Sequence, residues 1–209
     1  LPDPLVSVVI PTYNRAALLV ERCLPSVLQA TQRLEVIVVG DGPQPEAKRA
    51  VAGLHDARVR FCELPERQTY PEDLAAAWCV LGLEARNLAL DLAQGDYVAP
   101  LDDDDAWTPD HLDVLMACLN DTGADYAYGR SEAYWQDSRR SWYGQWPPMH
   151  FSHCVGSQVF RHDLGYRYDP ACVERGLPED GDMIDRMVAG GVRFAFVNHL
   201  VHLYWPNRQ

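Results

Sequence analysis

Two stretches, VSVVIP at residues 6–11 and LEVIVVGDG at residues 34–42, narrow most what this chain can fold into. Each is a nearly unbroken apolar, β-branched run that stops at a proline or a glycine turn. A strand wetted on one face alternates apolar with polar residues, whereas an unbroken run belongs to a strand covered on both faces, as in a parallel sheet between helices. Helical spacing follows each run. AALLVERCLPSVLQA (16–30) reads as a helix that Pro25 should kink or interrupt, and PEAKRAVAGLH (45–55) reads as the next. RVRFCEL (58–64) alternates as a third strand, and a polar loop, PERQTYPED, follows it. Residues 74–94 are helical with a break near Gly82, and Gly95 is expected as the C-cap. DYVAPL (96–101) is a fourth strand, and Thr108 with Pro109 forms an N-cap and first-turn pair for a helix over 111–120.

This β-α-β-α-β-α-β order predicts an α/β fold, an open and mostly parallel central sheet flanked by helices on both faces. In such sheets ligands sit at the carboxyl ends of the strands. The polar strand ends at 11–15, 40–42 and 102–105 are therefore expected to converge on one crevice.

After about Tyr126 the pattern changes to short alternating segments rich in tyrosine and tryptophan, which predicts a small mixed or antiparallel extension. EDGDMIDRMVAGG (179–191) is a helix with a glycine stop, and VRFAFV (192–197) is a last strand. With 209 residues the chain is expected to form a single domain of two halves, 1–125 and 126–209.

Charge and cysteine usage exclude several classes. The net charge of -12 leaves no basic stripe for a nucleic-acid backbone, so no nucleic acid is expected as a partner. Six scattered cysteines without a C-x-x-C pair suggest neither a zinc knuckle nor a dithiol site; they read as buried thiols of a cytoplasmic protein. No apolar run approaches transmembrane length. The opening LPDPLVSVVIP does not read as a secretory signal, and it begins like an excised domain.

The strand end at Asp102, Asp103, Asp104 and Asp105 is the chief candidate for chemistry. Four adjacent carboxylates repel one another. Their hard oxygens suit Mg²⁺ or Mn²⁺, and such an ion can bridge to the phosphates of an acidic nucleotide. The competing reading is a solvated acidic turn before a helix N-terminus.

The motifs VSVVIPTYNR, VIVVGDG, ARNLALDLAQGDYVAPLDDDDAWTPDHLD and PEDGDMIDRMVAGG, in this order, resemble the family 2 glycosyltransferases of the GT-A fold. The resemblance implies a divalent metal held chiefly by Asp104. Asp102 and Asp103 would hold the ribose or donor sugar, or support the metal shell. It implies a base pocket formed by Pro11, Thr12, Tyr13 and Asn14 with Asp41. The family's usual Asp-Asp-Gly-Ser is here Gly40-Asp41-Gly42-Pro43. Arg86 would face phosphate or base, the competing reading being a surface ion pair. Asn87 would cap or brace its helix. Glu179 and Asp180 match the segment that supplies the catalytic base in inverting members, with Asp180 as base and Glu179 orienting it; a charged first helical turn is the alternative. His202 is a further candidate metal ligand in the closing segment FVNHLVHLYWPNR. Trp135, Trp142 and Trp146 are candidates to stack on an acceptor.

The activity so implied is metal-dependent, inverting transfer of a sugar from a nucleoside diphosphate donor, a UDP-sugar, to an acceptor hydroxyl. Two other classes stay open: a nucleotidyltransferase, for which no glycine-rich phosphate loop is present, and a non-catalytic nucleotide or sugar-binding module.

Overall fold

The computed structural model describes residues 3–206; Leu1 and Pro2, together with Asn207 and Arg208 of the closing segment and Gln209, lie outside the described residues. Strand β1 (Val6–Thr12) is followed by helix α1 (Ala16–Leu18), a π turn over Leu19–Cys23 and helix α2 (Leu24–Leu28). Pro25 does interrupt the helix. It has no N–H for the carbonyl one turn back, and the chain widens into the π turn just before it, with the Leu24 N–H reaching the Leu19 carbonyl.

Strand β2 (Leu34–Gly40), helix α3 (Pro45–Ala52) and strand β3 (Val59–Glu63) come next. Helices α4 (Leu74–Trp78) and α5 (Leu83–Leu92) are separated at Gly82, which adopts a left-handed φ of 72°. Strand β4 (Tyr97–Pro100) delivers the aspartates, the short β5 (Ala106–Trp107) leaves them, and helix α6 (His111–Thr122) follows. The second half holds β6 (Tyr126–Tyr134), β7 (Arg140–Tyr143), β8 (Gln158–Arg161), helix α7 (Glu179–Ala189) and β9 (Phe194–Tyr204).

One sheet runs through both halves in the order β3-β2-β1-β4-β8-β6-β9-β5, with β7 also paired to β6. The pairs β1–β2, β2–β3, β1–β4 and β6–β9 are parallel, whereas β8 runs antiparallel to β4 and β6. This is the mixed α/β sheet that the periodicity predicts. All seven residues of β1 are buried. Val8 and Ile10 join α2, α3 and α6 in the core on one face, while Val9 joins α5 and α7 in the core on the other. That two-sided burial is why the run is unbroken.

Three local expectations are corrected. Gly95 is not a helix cap: α5 ends at Leu92 with Ala93 extended, and Gly95 is needed because a Cβ there would lie 2.7 Å from Leu5 O and from Ser7 N. Thr108 does not cap α6; its hydroxyl donates to Asp110, the residue at the cap position, and the helix runs on to Thr122 before Gly123 turns left-handed. The last strand is eleven residues long and not six, because Phe194 to Tyr204 finds partners along β6 across a register shift near Arg130. Among the described residues no helix is long and apolar enough to cross a membrane.

Candidate active site

The three strand ends do converge. Pro11, Thr12 and Tyr13 after β1, Asp41 after β2, and Asp102 and Asp103 after β4 line one cleft of about 220 Å³, together with Arg86 from α5. Asn14 does not face it. Its backbone is left-handed at a φ of 53° and its N–H is tied to Gln44, so it shapes the turn beside a separate small hollow.

The aspartate turn is braced by arginines that sequence reading did not single out. Arg15 Nη1 lies 3.1 Å from Asp103 Oδ1 and 3.1 Å from Asp104 Oδ2. Arg22 Nη1 donates to the Asp104 carbonyl at 2.8 Å. The only local signal for Arg15 was its place at the end of the PTYNR motif; its partners lie some ninety residues on, a distance periodicity does not reach. Asp102 pairs with Arg86 at 2.6 Å. Burial pushes the Asp103 carboxyl up to about 6, and burial followed by repulsion from Asp102 and Asp105 pushes Asp104 up to about 7.

Asp105 belongs to the framework. Its Oδ1 accepts the Trp205 N–H at 2.9 Å and its Oδ2 lies 3.2 Å from His202 Nε2, so the turn is tied to β9. His202, expected as a metal ligand, is fully buried behind Asp105, with Nδ1 3.0 Å from Ser131 Oγ. Its ring nitrogens face Asp105 and Ser131 and are not directed at Asp104.

Burial is the first cause of both raised values, and the Arg15 guanidinium already opposes it at each carboxylate. Among the described residues no three His, Cys, Asp or Glu side chains converge into a closed metal cage. Asp102 lines the cleft, whereas Asp104 is turned to Arg15 and is not among the residues that line it; carboxylates of this kind can share Mg²⁺ or Mn²⁺ with substrate phosphates, one or two at a time.

A second cleft of about 460 Å³ adjoins the first and shares Leu81, Arg86 and Asp102 with it. Glu179 and Asp180, in the first turn of α7, line it. Arg86 connects the two carboxylate sets: Nη2 reaches Asp102 and Nε lies 3.3 Å from Glu179 Oε1. Arg86 is 7% exposed, so it is an interior ion pair and not a surface one. Burial, with repulsion from Asp180, pushes Glu179 up to about 8 against the opposing pull of Arg86. Burial also raises Asp180, whose Oδ1 accepts the Gly181 N–H at 2.7 Å. Asn87 braces the wall: its amide exchanges two hydrogen bonds with the Tyr168 backbone, at 2.8 and 2.9 Å. Trp135 lines this second cleft, together with Trp78, Tyr143 and Phe151; Trp142 and Trp146 are exposed elsewhere.

Comparison with known proteins bears on the family and the fold. Residues 7–77 and 82–172 match the family described as Glycosyl transferase family 2. A protein of Escherichia coli (strain K12) named as a glycosyl transferase of colanic acid biosynthesis, WcaA, is 35% identical over 118 residues, 55% of this chain and 38% of its own length. The UDP-Glc:alpha-D-GlcNAc-diphosphoundecaprenol beta-1,3-glucosyltransferase WfgD of Escherichia coli is 28% identical over 131 residues, 62% of this chain and 47% of its own. The chain thus spans less than half the length of either relative. Among solved structures, Staphylococcus aureus TarS 1-349 in complex with UDP superposes with a TM-score of 0.69 at 16% identity, over 96% of this chain and 60% of that one. The mannosyltransferase PcManGT from Pyrobaculum calidifontis, in complex with GDP-Man and Mn²⁺, gives 0.63 at 21% identity, over 96% and 56%. Those likenesses establish the GT-A fold, and the match over most of the sequence establishes the family: this chain belongs to glycosyl transferase family 2.

Proposed function

We propose that this chain transfers a sugar, with inversion, from a UDP-sugar to a hydroxyl of a glycan or lipid-linked glycan acceptor, and that it does so with a divalent metal. The observation that carries the reading is Arg86, which joins Asp102 on the donor side to Glu179 on the other, so that two carboxylate sets face one continuous pair of clefts. Names and titles support the donor: WfgD acts from UDP-Glc, and TarS has been seen with UDP.

In this reading the base sits between Pro11 and Tyr13 beside Asp41, and the diphosphate runs towards the aspartate turn. A divalent cation held by Asp104 and Asp102 would supply neutralising charge to the departing diphosphate. Asp180 accepts the proton of the acceptor hydroxyl as that oxygen bonds to the anomeric carbon, while the bond from that carbon to the diphosphate oxygen breaks on the opposite face. A carboxyl raised by burial is a stronger base than a solvated one, which suits the task. Glu179, fixed by Arg86, orients the first turn of α7. The aromatic wall at Trp135 and Tyr143 offers flat apolar faces to an acceptor ring.

The test is UDP release from a panel of UDP-sugars with Mn²⁺ and candidate glycan acceptors. Asp180→Asn is expected to retain nucleotide binding and to lose transfer; full transfer by that variant would refute Asp180 as the base.

A further inference from the structure

Among the described residues eight large apolar side chains stand exposed, and seven of them come from two segments. Leu74, Trp78 and Leu81 belong to residues 74–83, and Trp142, Trp146, Met149 and Phe151 belong to residues 141–152. Single exposed apolar side chains are ordinary, whereas a concentration of them marks a surface that meets something else. Both segments reach the second cleft. Trp78 and Leu81 line it from one, Tyr143 and Phe151 from the other, beside Glu179 and Asp180.

Local structure turns these side chains outward. Leu74 and Trp78 are four residues apart on α4 and so share a face, and Leu74 is 86% exposed. The other segment is a closed loop. The N–H groups of Gly144 and Gln145 both donate to the Ser152 carbonyl, at 3.1 and 3.2 Å, and the Tyr128 hydroxyl donates to the Gln145 carbonyl at 2.7 Å, so the base of the loop is fastened to β6. Its one titratable side chain, His150, is drawn back onto α7: the backbone N–H lies 2.8 Å from one Asp185 carboxylate oxygen, and Nδ1 lies 2.7 Å from the other. Trp146, Met149 and Phe151 are left on the outside.

Neither segment holds an Asp, Glu, Lys or Arg, in a chain with 30 acidic and 18 basic residues. A charged protein partner would find no ion pair here. An uncharged face of Trp, Leu, Met and Phe suits instead the boundary between headgroups and acyl chains, where such side chains settle without ion pairing. Glu72, Asp73 and Glu84 flank the face and the net charge is -12, so anionic headgroups repel it and zwitterionic ones do not.

We propose that this apolar collar docks the protein on a zwitterionic lipid surface, with the second cleft opening towards it, so that an acceptor anchored in that surface enters the cleft without the protein leaving. The inference takes the second cleft as the acceptor's and so rests on the transfer reading above.

The test is flotation of the whole protein with vesicles of pure phosphatidylcholine, and of phosphatidylcholine mixed equally with phosphatidylglycerol, at low and at high salt. The wild type is expected to float with the phosphatidylcholine vesicles, no less at high salt than at low, and to float less with the anionic ones. Leu74→Glu and Trp146→Glu, one from each segment, are each expected to cut the bound fraction by about tenfold. Val188→Glu, at the exposed apolar side chain outside both segments, is expected to leave it unchanged. Melting followed by circular dichroism shows that the variants are folded. No binding to phosphatidylcholine, binding only to anionic vesicles that high salt abolishes, or binding that both substitutions leave intact overturns the inference. So does a wild type that pairs with itself in light scattering and separates in either variant, since the collar would then belong to a second copy of this chain. Flotation needs no nucleotide: a protein that floats but releases no UDP from any UDP-sugar overturns the transfer reading and the acceptor's route with it, but not the docking face.

Discussion

Arg86 Nη2 lies 2.6 Å from Asp102 Oδ1, and this pair ties the helix before β4 to the aspartates after it. The same side chain also meets Glu179, so one buried cation balances carboxylates that come from opposite walls of the site. Removing it leaves two charges without their partner. Arg86→Ala is expected to lower stability by about 3–5 kcal/mol, read as a shift in the urea midpoint. Arg86→Lys should recover only part of this, because an ammonium cannot reach both partners from one fork.

The two carboxylates at the start of α7 should separate by role. Asp180→Asn is expected to cut kcat by roughly 10²- to 10⁴-fold at an unchanged melting temperature. Glu179→Gln should have the smaller effect on kcat, since it keeps a group that can accept from Arg86. Steady-state kinetics on both variants checks the order.

Gly156 carries His202 on its back. A Cβ at that position would collide with the His202 ring, which is fully buried against Asp105. Gly156→Ala is therefore expected to cost about 1–3 kcal/mol through overpacking, seen in thermal denaturation. Loosening of the aspartate turn should accompany it as weaker Mn²⁺-dependent nucleotide binding.

Two interior histidines should make the fold acid-sensitive. Burial pushes His111 and His153 down to about 3. His111 stacks on Trp107 at 4.0 Å, and His153 sits among Ser152, Tyr126 and Gln158. Both stay neutral in the folded chain, whereas in the unfolded chain each takes a proton below about pH 6.5. The unfolded state thus binds more protons between pH 6.5 and 3; the stability is whole above 6.5 and falls with pH, by about 2 kcal/mol per histidine from 6.5 to 5. Asp103, Asp104 and Glu179 act in the opposite sense, because their folded values are raised and their protonation on acidification favours the fold. The check is therefore a difference: the loss of melting temperature between pH 7 and pH 5 should be smaller in His153→Gln than in the wild type.

Much of the architecture could be read from periodicity, because burial on two faces leaves an unbroken apolar run. Val6 to Ile10 and Val36 to Val39 are of this kind, and they locate the strand ends where Pro11, Asp41 and Asp102 meet. What could not be read is pairing across the chain. Arg15 against Asp103 and Asp104, Asp105 against His202, and Arg67 against Tyr13 join residues whose separation has no period, and each depends on how loops close after the sheet has formed. The length of β9 was hidden for a similar reason: its outer half alternates weakly, and it extends because β6 is there to pair with it. Asp105, the one aspartate of the four to which the resemblance gives no role, is the one that fastens the turn to the last strand.

The central claim is that Asp104, at the end of β4, holds the metal that serves a nucleotide-sugar donor. The direct measurement is the rate at which UDP is released from a UDP-sugar as Mn²⁺ is titrated, compared between the wild type and a folded Asp104→Asn variant. The account predicts release of UDP, and not of pyrophosphate, that rises with Mn²⁺ in the wild type and falls at least a hundredfold in the variant. An Asp104→Asn protein that keeps the wild-type Mn²⁺-dependent rate would contradict it.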